Sequence, residues 1–212
     1  MSRLEPITKP ASTVQRFDSS TRAELAFTII ELLVVIALII IVAGLIFGTA
    51  GYVQRKGSRS RAETEIAALS AALENYKADN GIYPRGNADL SITTPYDTDK
   101  LDARTAVDSS HYHSASLFLY KQLSGDTAAN LQLPPGAKSY FTFKPQMLGT
   151  TRDASGNLTA IIYLRDPFGN SYGYSTAYQG DTANPPTRGY NPTYDLWSTA
   201  ASSDPNQWIK NW

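Results

Sequence analysis

The sequence predicts an α+β fold in which one long N-terminal helix packs its second half on a small antiparallel β-sheet head. Three observations carry that prediction. An apolar block runs from Phe27 to Phe47; a stripe at helical spacing follows it, Ala62, Ile66, Leu69, Leu73 and Tyr76; and the C-terminal third turns to aromatic and branched residues broken by turn strings. At 212 residues the chain has room for one domain and an extension, since a domain takes roughly 100–200 residues.

Composition removes several classes of function before any element is placed. Lys+Arg number 19 and Asp+Glu 19, so the formal charge is zero; no basic face is advertised and no nucleic-acid partner is expected. There is no cysteine, which excludes thiol catalysis, thiolate zinc sites and disulfides. Neither a Gly-x-Ser-x-Gly string nor a phosphate-cradling glycine loop occurs, so no catalytic residue is assigned and the chain does not read as an enzyme.

Phe27–Phe47 counts 21 residues, and from Leu32 to Phe47 no side chain is polar. A helix rises about 1.5 Å per residue and a bilayer core of about 30 Å takes about 20 apolar residues, so the block is long enough to span. Two other readings compete. A wholly buried core helix would need more apolar chain around it than remains. A secretory signal peptide finds small residues at Ala43-Gly44 and Gly48-Thr49-Ala50-Gly51. Glu31 is what the signal peptide leaves unexplained, because a carboxylate costs about 2.5–3.5 kcal/mol at a bilayer centre. Either it reaches the interface or it has a partner.

Beyond Gly48, Gly51 and Gly57, residues 58–80 read as an amphipathic helix with the stripe on one face and Glu63, Glu65, Glu74 and Lys77 elsewhere. A coiled-coil seam needs more heptads than the stripe has. Asn80-Gly81 supplies the stop, because glycine tolerates the left-handed turn. Residues 85–110, rich in Asp, Thr, Ser, Asn and Pro without an apolar period, read as a surface loop. His111 and His113 form a pair able to chelate zinc, but no third His or Glu stands at ligand spacing, and the pair reads as loop entering a helix. That helix is predicted from Ser114 to Leu123, capped near Ser114 and stopped by Gly125. Strands are predicted at Tyr140–Phe143, at Leu158–Leu164 and about Tyr172 and Tyr174. Between them fall Asp153-Ala154-Ser155-Gly156-Asn157 and Asp166-Pro167-Phe168-Gly169-Asn170; the second places Asp, Pro and Gly as a type I turn prefers.

The segment Leu25-Ala26-Phe27-Thr28-Ile29-Ile30-Glu31-Leu32-Leu33-Val34-Val35-Ile36-Ala37 resembles the cleavage and methylation segment of the type IV prepilin and pseudopilin superfamily. Four later strings resemble, in the same order, blocks of its major-pseudopilin branch from type II secretion systems. They are Tyr76 to Pro84, Asp166 to Tyr174, Tyr194 to Ser198, and Trp208-Ile209-Lys210-Asn211-Trp212. Residues 85–150 have no counterpart in the resemblance and read as an insertion.

The resemblance implies a pilin-like fold divided into a leader peptide 1–26, a transmembrane and assembly helix 27–50, an amphipathic helix of the head 51–84, a variable loop and short helix 85–135, and an antiparallel sheet with a C-terminal loop 136–212. It implies that a prepilin peptidase cuts between Ala26 and Phe27 and methylates the Phe27 amine. Ala26 stands where the family usually has Gly, and Ile40 and Gly48 where it often has a mid-span Gly and a later Pro. Glu31 becomes the assembly residue: the Phe27 amine of one subunit meets the glutamate of a neighbour, and two groups costly in lipid neutralise each other on assembly.

Further partners implied are the inner-membrane assembly platform and its ATPase, minor pseudopilins, other copies of the chain in a helical homopolymer, and membrane lipid. The implied location is the inner membrane, single-pass, with the head in the periplasm. Calcium is implied in the C-terminal loop, with Asp195, Ser198 and Asp204 as ligands; as the competing account, Trp197, Trp208 and Trp212 pack the loop by themselves. The implied function is that of a structural subunit of a periplasmic pseudopilus driving protein export through a type II secretion system. Two alternatives stay open. One is a type IV pilin for adhesion, motility or DNA uptake, against which the lack of cysteines weighs, since pilins often close their C-terminal region with a disulfide. The other is a membrane-anchored periplasmic binding or enzymatic module with its site in 85–135.

Overall fold

The computed structural model describes residues 27–86, 98–105 and 109–212, apart from the side chains of 46–50 and 110–111. The leader expected at 1–26, with Ala26, lies outside the described residues, as do 87–97 and 106–108 of the expected loop and the His111 side chain. The chain divides into two compact units, Met1–Gly48 and Thr49–Trp212, and helix α1, Ile29–Asn80, contributes residues to both.

In the first unit the apolar side chains of α1 are exposed: Ile29 by 80%, Ile36 by 44%, Leu45 by 69%. Among the described residues no helix is long and apolar enough to cross a membrane. The described side chains of the run end at Leu45, and Ile29–Leu45 rises about 26 Å against a bilayer core of about 30 Å. The apolar sequence itself continues to Phe47.

In the second unit the helical stripe is the core. Ala62, Ile66, Leu69, Ala72 and Leu73 are buried and Tyr76 is half-buried. They form one cluster with Leu119 and Leu123 of α2, His113–Ser124, and with Leu148, Ile161, Leu164, Tyr172, Tyr174 and Leu196 from the strand region. Off the stripe, Arg59–Glu63 and Arg61–Glu65 pair one turn apart at 3.5 and 3.1 Å; an exposed helical pair such as the first is worth about 0.3–0.5 kcal/mol, while Glu65 of the second is half-buried. The Tyr172 hydroxyl donates to Glu65 Oε2 at 2.8 Å and ties the strand region to the helix. Helix α1 stops where the sequence says it should: Gly81, at φ +78°, donates its N–H to the Lys77 carbonyl at 2.8 Å.

Helix α2 starts differently from the expectation. A 3₁₀ turn, Ser109–Tyr112, runs straight into it, so the N-cap is Tyr112 in helical conformation, and Ser114 falls inside the first turn. Its end is as expected, with Gly125 at φ +79° and its N–H on the Lys121 carbonyl at 3.1 Å.

The strand expected at Tyr140–Phe143 is not formed. The N–H groups of Tyr140 and Phe141 go to the Leu123 carbonyl at 2.8 and 3.1 Å, satisfying an end carbonyl of α2 that has no partner within its helix. The rings of Phe141 and Phe143 pack edge to face, 4.7 Å apart.

Two small antiparallel sheets form in place of one. Strands β1, Leu148–Arg152, and β2, Leu158–Leu164, pair with each other; β3, Gly173–Ser175, β4, Asp195–Ser198, and β5, Ile209–Lys210, pair in that order. Between β2 and β3 the chain turns at Asp166–Asn170, closed by a lone bridge between Arg165 and Ser171. That single bridge cannot extend either ladder into the other. Strand β1, Leu-Gly-Thr-Thr-Arg, has neither alternation nor aromatic residues, so its pairing is specified by β2 alone.

Candidate functional site

Helix α1 opens with a reciprocal cap. Thr28 Oγ1 accepts the Glu31 N–H at 3.2 Å, while Glu31 Oε2 accepts the Thr28 N–H and hydroxyl, each at 3.0 Å. This is a capping box, with Thr28 as N-cap and Glu31 at the third helical position, and it sets the carboxylate at the positive end of the helix dipole. Sequence reasoning singled out Glu31 and missed Thr28, although the Thr-x-x-Glu spacing was there to be read. Phe27, one residue earlier, is 82% exposed.

The C-terminal loop places its three expected ligands apart. Asp195 is buried in β4, where its carboxylate accepts the N–H groups of Tyr190 and Asn191 at 2.8 and 2.9 Å; burial pushes its carboxyl above the ordinary value. Ser198, also buried, donates its hydroxyl to Asp166 Oδ2 at 2.5 Å. Asp204 is exposed and caps a 3₁₀ turn, Pro205–Gln207, through the Asn206 N–H at 2.9 Å. As placed, these residues are not one donor set, and among the described residues no group of three His, Cys, Asp or Glu is gathered to hold a metal ion. The tryptophans do gather. Trp197 is fully buried, stacks 6.2 Å from Trp208 and meets Trp212 edge-on at 5.9 Å, in a cluster with Leu101, Ala103, Tyr112 and Ala115. Trp208 Nε1 donates to the Ser202 carbonyl at 2.9 Å and pins the loop. His113 stacks on Tyr163 at 4.2 Å.

Asp166 is the buried residue that the sequence marked only as a turn former. Its Oδ1 accepts the N–H groups of Phe168 and Asn170 at 3.0 and 2.8 Å, and with Ser198 on Oδ2 it fastens the turn to β4. Burial raises its carboxyl above the ordinary value, and the hydrogen bonds from Ser198 and the turn oppose that shift.

Three curated relatives share part of this chain, each named "Type II secretion system core protein G". That of Vibrio cholerae is 33% identical over 76 residues, covering 35% of this chain and 52% of its own length. That of Escherichia coli is 35% identical over 71 residues, 34% of this chain and 49% of its own. That of Pectobacterium carotovorum is 34% identical over 71 residues, 32% of this chain and 46% of its own. The chain thus spans about half the length of the curated relatives it matches. No family model matches the chain, and no solved structure matches it significantly.

Proposed function

We propose that this chain is a non-enzymatic structural subunit of a periplasmic pseudopilus that drives protein export through a type II secretion system. The observation that carries the proposal is the start of α1, an exposed apolar helix opening at Phe27-Thr28 with one carboxylate in its first turn. The names of the relatives support it. On this reading a prepilin peptidase removes residues 1–26 and methylates the Phe27 amine. Residues 27–50 then span the inner membrane once, the head lies in the periplasm, and a platform protein and its ATPase draw subunits out into a filament with minor pseudopilins.

Apolar side chains exposed as these are need lipid or other helices to cover them, and both are supplied in turn. The capping box gives Glu31 a holding state in the single chain: its charge rests on its own Thr28. A neighbour's Phe27 amine offers a full opposite charge, and a charge-assisted bond in low dielectric displaces bonds to neutral donors. Calcium binding by Asp195, Ser198 and Asp204 belongs to the same proposal, as a rearranged loop in which Asp204 leaves its cap.

Co-expression with the peptidase, platform protein and ATPase should give filaments whose subunits, by intact mass, lack residues 1–26 and carry one methyl group. Glu31→Val should still be cleaved and inserted but should assemble at least about tenfold less, since an unpaired charge in lipid costs about 2.5–3.5 kcal/mol. Full filament yield from Glu31→Val, or assembled subunits that retain residues 1–26, would sink the proposal.

A further inference from the structure

In the second unit, a cleft of about 410 Å³ opens between α1 and the loops that follow β2 and β4. Tyr52, Arg55, Lys56 and Arg59 line it from the helix, and Phe168 and Gln207 from the loops. The four helix residues follow one another at spacings of three, one and three, which places them on one face. No acidic side chain lines the cleft among the described residues. Arg59 is already engaged: its guanidinium donates to the Gln207 carbonyl at 2.8 Å and lies 3.5 Å from Glu63. It fixes the wall. Arg55 and Lys56 are exposed and have neither an ion pair nor a hydrogen-bond acceptor among the described residues.

We propose that this cleft binds the phosphate headgroup of an anionic phospholipid, with Arg55 and Lys56 as its counter-charges and Arg59 as the positioning residue. A guanidinium offers paired donors to phosphate oxygens and an ammonium adds a point charge. The volume lies within the roughly 300–1,000 Å³ of small-molecule sites. Tyr52, Phe168 and Ala200 add an apolar wall that suits the glycerol ester below a headgroup and offers nothing to a free anion. The sequence supplies the second argument. Arg55 comes eight residues after the last apolar residue of the block, Phe47, with Lys56 beside it, and a cation held close to an anionic lipid surface gains about 1 kcal/mol. The lipid source rests on the membrane reading above, whereas the anion site stands on the cleft alone.

The test uses the full chain in dodecyl maltoside micelles, titrated with phosphatidylglycerol or phosphatidylcholine and read by native mass spectrometry. One phosphatidylglycerol should be retained saturably and phosphatidylcholine should not. The double variant Arg55→Gln, Lys56→Gln should weaken retention about 25-fold, roughly fivefold for each charge removed, with an unchanged circular dichroism spectrum. Arg152→Gln, an exposed arginine of β1, should change nothing. Equal retention of the two lipids, or full retention by the double variant, overturns the proposal; complete displacement by millimolar inorganic phosphate assigns the cleft to the free anion and overturns the lipid. Carbonate extraction of membranes holding the chain tests the membrane reading separately. A chain released by carbonate that still retains phosphatidylglycerol in micelles refutes that reading and upholds the site.

Discussion

Asp153 and Asp166 begin loops of one pattern, Asp-x-x-Gly-Asn, and use it identically. Asp153 Oδ1 accepts the N–H groups of Ser155 and Asn157, both at 2.9 Å, as Asp166 Oδ1 accepts those of Phe168 and Asn170. Their glycines take φ +82° and +96°, a left-handed position that glycine adopts freely. The two carboxyls nonetheless move in opposite directions. Asp153 is exposed and its hydrogen bonds hold it below the ordinary value; Asp166 is 2% exposed and burial lifts it above. The linkage follows from the sign. Asp166 binds more protons folded than unfolded between the ordinary 3.8 and its raised value, so its contribution to stability is greatest at low pH and declines as pH rises through that window. Asp153 contributes above 3.8 and loses its contribution as pH falls through its lowered value. Asp166→Asn keeps the turn acceptor and removes the titration. Its melting midpoint should therefore fall less than the unsubstituted chain's as pH rises from about 4 to 6, while Asp195, raised in the same direction, contributes a slope of the same sign to both proteins. Parallel curves for the two proteins would refute the assignment.

At the scale of elements, side-chain volume sets how closely the strands approach. Gly173 of β3 lies opposite Trp197 of β4, and a Cβ on it would sit 2.1 Å from Trp197 Cε2. The indole is fully buried, wedged by Tyr112 at 5.0 Å and Trp208 at 6.2 Å, so it cannot swing aside. Gly173→Ala should destabilise the fold by about 1–3 kcal/mol or more, the usual cost of overpacking, measured as a drop in the urea midpoint at constant slope. A Cβ on Gly149 would likewise sit 2.4 Å from Tyr163 Cζ across β1 and β2. In both sheets, then, an aromatic ring covers a glycine.

For the whole molecule, the two units pose opposite solvation problems. The second buries its apolar helix face on α2 and the strands, whereas among the described residues the first leaves its large apolar side chains from Phe27 to Leu45 exposed, and on the proposed reading lipid or neighbouring subunits remove that surface from water. The C-terminal loop closes the second unit on Trp197, Trp208 and Trp212. If calcium also holds it, binding to the folded chain alone should raise the melting midpoint, by about 2.7 kcal/mol of stability at a hundredfold excess over Kd. Asp204→Ala should abolish the rise. Identical melts in calcium and in chelator would leave the tryptophan cluster as the whole account of the loop.

What the sequence determined by itself is what a local pattern can carry. The apolar block, the stripe Ala62 to Tyr76, the glycine stops at Gly81 and Gly125, strand Leu158–Leu164 and the turn at Asp166 all appear at or near their predicted places, because helical period, chain-reversal chemistry and branched-residue clustering act over a few residues. The Thr28–Glu31 cap was legible in the same way. Only the tertiary structure decided the rest. Tyr140 and Phe141 have strand-forming side chains, yet their N–H groups found the end of α2 before any strand partner. Asp195, Ser198 and Asp204, near in sequence, went to three different hydrogen-bonding roles, Asp195 and Asp204 accepting backbone N–H groups and Ser198 donating to Asp166, and Asp166 was drawn into the core by Ser198, 32 residues away. Arg55 and Lys56 acquired an aromatic wall from Phe168, more than a hundred residues on. Partners so distant in the chain are chosen by packing, since a buried donor or acceptor must find whatever group the fold brings within hydrogen-bond reach.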